Sequence, residues 1–153
     1  MALDRARAHL KKFGLEDRIR LADTSTATVE LAAAAVGVAP GCIAKTLSFI
    51  VKDRVVLVVC EGMARVDNRK FKDYFHAKAK MIPGGDVQRL TGHEPGGVCP
   101  FGVNDGVEVL LDVSLKQHDI VFPAAGTDNS SVRLSIEELE KCSESLGWVD
   151  ICR

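Results

Sequence analysis

The stretch CIAKTLSF, residues 42–49, carries a lysine inside the apolar pattern of a β-strand. Residues two apart share one face of a strand, so Ile43, Lys45 and Leu47 lie on the same side. An ammonium among apolar side chains is costly unless it is paired or borders solvent. We therefore expect Lys45 to line a pocket and to bind a phosphate or a carbonyl group there. The alternative is a strand-end lysine that reaches out to water.

The residues around this stretch predict a hairpin of two long strands. The segments CIAKTLSFIV (42–51) and RVVLVVC (54–60) flank a two-residue turn. The second segment is apolar on both faces, which is typical of a strand inside a sheet. AKAKMIP (77–83) is expected to be an edge strand, and Trp148 to lie in a short tail. Helices and strands alternate irregularly, which favours an α+β or mixed-sheet α/β domain.

Capping residues predict where two of the helices begin. Thr28 precedes the alanine-rich segment VELAAAAV (29–36), and Gly37 is placed to end that helix. Ser135 and Glu138 have the spacing of a capping box at the start of the last helix. Because propensity and capping agree, we expect helices at both places.

Length and charge limit the class of protein. A chain of 153 residues is long enough for one compact domain, so we predict a single domain over residues 1–153. The net charge of −1 gives no global basic field, so any contact with RNA must be local. One candidate for such a contact is a local cluster of basic residues: Arg65, Arg69, Lys70, Lys72, Lys78 and Lys80.

Cysteine content and apolar patterning predict the compartment. The five cysteines include no CxxC pair, which favours free thiols in a reducing compartment. The N-terminal residues have no apolar signal-peptide core, and no uncharged apolar run has the length of a membrane span. We expect a cytoplasmic protein with no membrane partner.

Residues 96–102, GGVCPFG, form a loop too rich in glycine and proline for regular structure. Successive amide N–H groups in such a loop can bind an anion or a carbonyl oxygen, as in an oxyanion hole. The alternative is a plain connection between elements. The loop matches neither the P-loop nor the dinucleotide-binding pattern.

Cys99 could act as a thiol nucleophile if a histidine lay beside it, which the sequence spacing cannot decide. Free cysteines are more often small buried apolar residues. Metal chemistry is not indicated, because Pro95 follows His93-Glu94 and prevents an HExxH helix. We predict neither a metal nor a cofactor.

Three separated segments together resemble the YbaK-like family of aminoacyl-tRNA deacylases, the prolyl-tRNA editing domains. They are VAPGCIAKTLSF (38–49), GGDVQRLTGHEPGGVCPFG (84–102) and FPAAGTDNSSVRLSIEEL (122–139), and they occur in the family's order. The resemblance implies a central mixed, mostly antiparallel sheet with flanking helices. It also implies removal of a small wrong amino acid from the tRNA for proline.

The resemblance assigns roles to residues of this chain. Lys45 corresponds to the lysine of the family's KTL motif, which is expected to hold the 3′-terminal adenosine and its phosphate or the ester. Gly97 and Gly102 belong to the family's glycine loop, whose backbone is expected to bind the aminoacyl carbonyl; with Lys45 they are the predicted catalytic residues. The predicted substrate-binding residues are Thr26, Thr46, Gly96, Val98, Cys99, Pro100, Phe101, Gly126, Asn129 and Ser131.

The implied function is that of a trans-editing aminoacyl-tRNA deacylase, a hydrolase of carboxylic esters. Its partners would be the acceptor end of mischarged tRNA(Pro) and prolyl-tRNA synthetase. Two alternatives remain: a non-catalytic module that binds the aminoacyl-tRNA end or a synthetase, and a thiol hydrolase that acts through Cys99. Cysteine-removing members tend to carry aspartate where this chain has Ser131, which leaves the choice between alanine and cysteine open.

Overall fold

The computed structural model describes residues 2–153. Five helices and eight strands lie in this part of the chain, with short 3-10 turns between them. Their bounds are α1 Ala2–Lys11, β1 Ile19–Leu21, α2 Val29–Val36, β2 Ala44–Val51, β3 Arg54–Glu61, α3 Asn68–Phe75, α4 Gly84–Thr91, β4 Glu108–Asp112, β5 Ile120–Val121, β6 Ser130–Val132, β7 Leu134–Ser135, α5 Ile136–Cys142 and β8 Trp148–Val149.

A mixed four-stranded sheet forms the centre of the fold, in the order β2-β3-β4-β8. The predicted hairpin β2–β3 is antiparallel over eight residue pairs, whereas β3–β4 and β4–β8 are parallel over four and two pairs. Two antiparallel ribbons, β1–β6 and β5–β7, lie beside this sheet. The predicted α+β fold with a mixed, mostly antiparallel sheet and flanking helices is therefore confirmed.

Apolar clusters cover both faces of the central sheet. Val56 and Val58 of β3 pack with Phe49 and Phe71 on the side of α3, and Val59 packs in the cluster on the other side. Val56, Val58 and Val59 are fully buried. The prediction that the second strand of the hairpin is internal is thus confirmed. The consequence for the site is that β2, its partner, is an edge strand of the sheet.

Both predicted helix starts are present. The side chain of Thr28 accepts a hydrogen bond of 3.1 Å from the amide of Leu31, and Gly37 ends α2 in the left-handed region at φ 83°. At α5, Ser135 and Glu138 form the full capping box. Thr28 and Gly37 fix where α2 begins and ends, and the N-terminal end of α2 faces the candidate site.

Two sequence predictions need correction. Residues 77–83 do not form a strand: only Met81 bridges to Phe49, and Pro83, which has no N–H, interrupts further pairing. Trp148, expected in a short tail, instead begins strand β8 and pairs with Leu111 of β4. Within residues 2–153 we find no helix with the length and apolar character needed to span a bilayer.

Candidate functional site

A pocket of about 360 Å³ lies along the free edge of β2. The start of α2, the beginning of the glycine loop and strand β6 surround it. We call it the edge pocket. The residues that line it are Thr26, Ala27, Thr28, Val29, Ala32, Ile43, Ala44, Lys45, Thr46, Leu47, Gly96, Val98, Phe122, Ala124, Ser130 and Ser131.

Lys45 reaches this pocket with its ammonium anchored by main chain. Its Nζ donates to the carbonyl oxygen of Gly62 at 3.0 Å and to that of Ala64 at 2.5 Å. No carboxylate of residues 2–153 lies within ion-pair distance of this ammonium. An ammonium has three N–H donors, so one of them is left for a ligand. Lys45 lines the pocket, as the sequence predicts, and its ammonium bonds to main-chain carbonyls of this chain; that it binds a phosphate or carbonyl of a ligand stays a prediction.

Thr46 exposes polar groups at the open edge of β2. The amide of Ala44 donates to Phe122, and the carbonyl of Ser48 accepts from Ile82, so the even-numbered residues of β2 direct their backbone groups away from β3. By the alternation of an antiparallel ladder, the N–H and C=O of Thr46 face the same edge. The hydroxyl of Thr46 is buried and has no hydrogen-bond partner in the described chain.

The N-terminal end of α2 closes another side of the edge pocket. Thr28, its N-cap, and Val29, its first residue, both line the pocket. Unpaired amide groups and the positive end of the helix dipole favour an anion or a carbonyl oxygen at this position. The pocket therefore has positive potential from both Lys45 and α2.

The beginning of the glycine loop is clamped against the turn at Gly126. The amide of Gly126 donates to the carbonyl of Gly97 at 2.9 Å, and the amide of Glu94 donates to the carbonyl of Gly126 at 3.1 Å. The amide of Gly97 donates to Glu94 within the loop at 2.9 Å. A Cβ on Gly97 would lie 2.4 Å from the backbone of Thr127, so only glycine fits there.

The later part of the glycine loop leaves the pocket and enters the core. Cys99 and Phe101 are fully buried, and Pro100 is buried with them. Gly102 lies against the backbone of Arg5 in α1, where a Cβ would come within 2.4 Å of a carbonyl oxygen. These residues anchor the loop rather than line the pocket.

The turn between β5 and β6 is fixed by its own side chains. The hydroxyl of Thr26 donates to the carbonyl of Asp128 at 3.0 Å. Asn129 accepts from the hydroxyl of Thr127 at 2.8 Å and donates to the carbonyl of Ala22 at 3.4 Å. Asn129 and Gly126 therefore shape the wall of the pocket without lining it, whereas Thr26 lines it directly.

The structure thus divides the residues that the sequence singled out. Six of them meet around one cavity: Thr26, Lys45, Thr46, Gly96, Val98 and Ser131. The other seven lie behind the wall: Gly97, Cys99, Pro100, Phe101, Gly102, Gly126 and Asn129. Sequence reasoning missed Thr28 and Val29 as lining residues, although the predicted N-cap at Thr28 was the signal that a helix end lay there.

Cys99 is not arranged as a nucleophile. Burial raises the pKa of its thiol to about 12, so the thiol stays protonated near neutral pH. Its Sγ lies 3.5 Å from Nε2 of His93, but that nitrogen also contacts the carbonyl of Phe101 at 2.6 Å. Burial lowers the pKa of His93 to about 4. The pair lies in the core, away from the edge pocket.

Comparison with known proteins identifies the family. The aminoacyl-tRNA editing domain family matches residues 23–142, which include every residue that lines the edge pocket. The chain belongs to this family. Among solved structures, a chain provisionally described as a trans-editing enzyme for prolyl tRNA synthetase superposes on this editing domain with a TM-score of 0.88 at 27% identity, covering 99% of this chain and 97% of that one.

Two kinds of curated relatives resemble this editing domain. It is 45% identical over 154 residues to YwhH of Bacillus subtilis, described as uncharacterized, with 100% of this chain and 98% of that protein covered. It is 26% identical over 128 residues to the proline–tRNA ligase of Bacillus licheniformis, with 83% of this chain but only 22% of the ligase covered. The chain thus matches a small part of a ligase and nearly the full length of a stand-alone protein.

Proposed function

We propose that this editing domain is a trans-editing deacylase that hydrolyses the ester of tRNA(Pro) carrying a small wrong amino acid such as alanine or cysteine. The observation that carries the proposal is the edge pocket, whose lining includes both Lys45 and Thr46, the latter with its backbone groups at the open edge of β2. Family membership and the similarity to proline–tRNA ligases support the choice of substrate. We place the protein in the cytoplasm, where charged tRNA is used.

In this proposal Lys45 holds the 3′-terminal adenosine and its phosphate, or the ester itself. Two of its N–H groups are taken by Gly62 and Ala64, so the third has a defined direction. Because no carboxylate neutralises the ammonium within the described residues, its charge is available to an anionic substrate. A charge-assisted hydrogen bond of this kind is stronger than a neutral one.

The ester needs little chemical assistance, because an aminoacyl ester is already activated. A water oxygen attacks the carbonyl carbon, and the carbonyl oxygen becomes an oxyanion. The carbon–oxygen bond to the ribose then breaks, and the ribose oxygen receives a proton from the attacking water. The edge pocket supplies N–H donors for the oxyanion, namely the backbone of Thr46 and the part of the glycine loop at Gly96 and Val98. Gly97 and Gly102 act by holding that loop in place.

Discrimination rests on the size of the edge pocket. Its walls are made of small residues, among them Ala32, Ala44, Ala124 and Ser131. An extra methylene is worth only about 1–3 kcal/mol in an apolar pocket, so steric exclusion of the larger, rigid proline is the more effective device. The correctly charged tRNA(Pro) would therefore be spared.

The test is to incubate the purified protein with alanyl-, cysteinyl- and prolyl-tRNA(Pro) and follow the loss of each ester. The proposal expects turnover of at least one mischarged species and none of prolyl-tRNA(Pro). Binding of the charged tRNA without hydrolysis of any species would instead support the alternative of a non-catalytic binding module. Adding prolyl-tRNA synthetase to the reaction tests whether this partner assists.

A further inference from the structure

A second groove adjoins the edge pocket on the outer side of β6. Its volume is about 370 Å³, and it shares Thr26, Phe122 and Ser131 with the edge pocket. We call it the arginine groove. The residues that line it are Arg18, Arg20, Leu21, Ala22, Thr26, Ala35, Val36, Phe122, Ser131 and Arg133. Three arginines and no acidic residue lie in this lining.

The register of the β1–β6 ribbon explains why the arginines converge. Arg20 lies directly opposite Ser131, and the neighbouring pair Ile19–Val132 faces the core. Side chains two apart on a strand share a face, so Arg133 lies on the same outer face as Ser131. Ala35 and Val36 of α2 form the opposite wall. One wall of the groove is therefore basic, and the wall that faces it is uncharged.

The arginines differ in how far they are neutralised. Arg18 forms an ion pair of 2.9 Å with Glu138, which lowers the pKa of that carboxyl. Arg20 donates to the carbonyl oxygens of Asp17 and Ile19, and these bonds hold its guanidinium without cancelling the charge. In residues 2–153, no carboxylate lies within 4.0 Å of the guanidinium of Arg20 or Arg133, and both side chains are exposed.

We propose that the arginine groove binds the single-stranded RNA that precedes the terminal adenosine, with Arg20 and Arg133 contacting its phosphates. The proposal rests on the proposed function, because it places the terminal nucleotide in the edge pocket. Because Thr26 and Ser131 line both cavities, an RNA strand can run from one cavity into the other. Leu21, 54% exposed, offers an apolar surface for a base. The chain has a net charge of −1, so the grip on RNA must be local.

The experiment uses a fluorescently labelled five-nucleotide RNA ending in CCA-3′, titrated with the full-length protein at several salt concentrations. The test variant is Arg20→Gln/Arg133→Gln. Its matched control is Arg7→Gln/Arg89→Gln, which removes the same charge from exposed residues outside both cavities and outside the basic cluster at residues 65–80. A third variant, Arg20→Lys/Arg133→Lys, keeps the charge. Far-UV circular dichroism verifies that each variant is folded.

We expect the groove variant to bind about tenfold more weakly and its slope of log affinity against log salt to shrink by about 1.4, since each phosphate contact in a single strand contributes about 0.7. The control and the lysine variant should stay close to wild type. Equal losses in groove and control variants, no loss in the groove variant, or a full loss in the lysine variant would overturn the proposal. The RNA carries no amino acid, so its binding does not depend on hydrolysis. Failure of the deacylase proposal would therefore appear in the deacylation assay and not in this titration.

Discussion

The ammonium of Lys45 lies 3.0 Å from the carbonyl oxygen of Gly62, at the end of the strand that pairs with its own. Gly62 is itself tightly packed, because a Cβ there would lie 2.1 Å from the carbonyl oxygen of Pro40. Main-chain oxygens thus orient the lysine without cancelling its charge. This arrangement leaves an ammonium without an acidic partner on a residue that lines the edge pocket.

The first prediction concerns the clamp on the glycine loop. Gly97→Ala should destabilise the protein by about 3 kcal/mol or more, because its Cβ would overlap the backbone of Thr127 at 2.4 Å. Gly84→Ala is the matched control, because a Cβ at Gly84 meets nothing within 4 Å. Urea unfolding of both variants measures the difference. Equal stability of the two would show that the clamp is looser in solution than described here.

The second prediction concerns the unpartnered hydroxyl of Thr46. Thr46→Val should raise the free energy of unfolding by about 1 kcal/mol, because it removes a buried polar atom without a partner. The same change should lower the deacylation rate by up to about tenfold if that hydroxyl binds substrate.

Thr91→Val is the control for that substitution. The hydroxyl of Thr91 is buried too, but it donates to the carbonyl of Val87 at 2.8 Å. Its loss should destabilise the protein by about 1–3 kcal/mol. If Thr46→Val destabilised the protein as much as Thr91→Val does, the hydroxyl of Thr46 would have a structural partner and no ligand role.

The third prediction is a pH dependence of stability from His93. Burial lowers its pKa to about 4, and the charge of Arg5 acts in the same direction, whereas the contact of Nε2 with the carbonyl of Phe101 opposes the shift. The unfolded chain takes up this proton near pH 6.5. Stability is therefore full above pH 6.5 and falls as the pH drops toward 4, by about 3 kcal/mol at most.

Urea unfolding at pH 7 and pH 4.5 measures this effect, with His93→Gln as the variant that cannot titrate. The variant should be less stable at pH 7 but should lose less stability between the two values, since the carboxylates contribute equally to both proteins. An identical loss in the wild type and the variant would contradict a neutral, buried His93.

The fourth prediction separates the editing proposal from a thiol hydrolase. Cys42 is the one cysteine with partial exposure among the five, so iodoacetamide should label it first. Cys99→Ala should keep the deacylation rate within about twofold, because the raised pKa of this thiol excludes it as a nucleophile near neutral pH. Loss of activity in step with labelling of Cys99 would favour the thiol route.

Local signals were sufficient to predict much of the fold. The caps at Thr28 and Ser135 depend on residues three apart, and the β2–β3 hairpin depends on adjacent segments. The parallel pairing of β4 with β3 and with Trp148 of β8 joins segments far apart in the chain, and no local pattern records such a partner. The edge strand expected at residues 77–83 was wrong for a local reason, because Pro83 has no N–H and interrupts pairing beyond the bridge of Met81 to Phe49.

Only part of the site's residues, and not their arrangement, could be predicted from the sequence. The polar exception in the apolar pattern at Lys45 indicated a pocket, and the pocket is there. Two contacts could not be predicted, because they depend on the tertiary structure. The ammonium of Lys45 donates to the carbonyl of Gly62, and the amide of Gly97 donates to Glu94 within the glycine loop. The convergence of Arg20 and Arg133 likewise depends on the register between two distant strands.

The most direct test of the central claim compares wild type with Lys45→Ala in deacylation of alanyl- and cysteinyl-tRNA(Pro). We predict that wild type releases at least one amino acid and that the variant, still folded by circular dichroism, is slower by about 10²-fold, because Lys45 positions the substrate and a displacement of about 1 Å can cost that much. A folded Lys45→Ala variant that hydrolyses the ester at the wild-type rate would contradict the account.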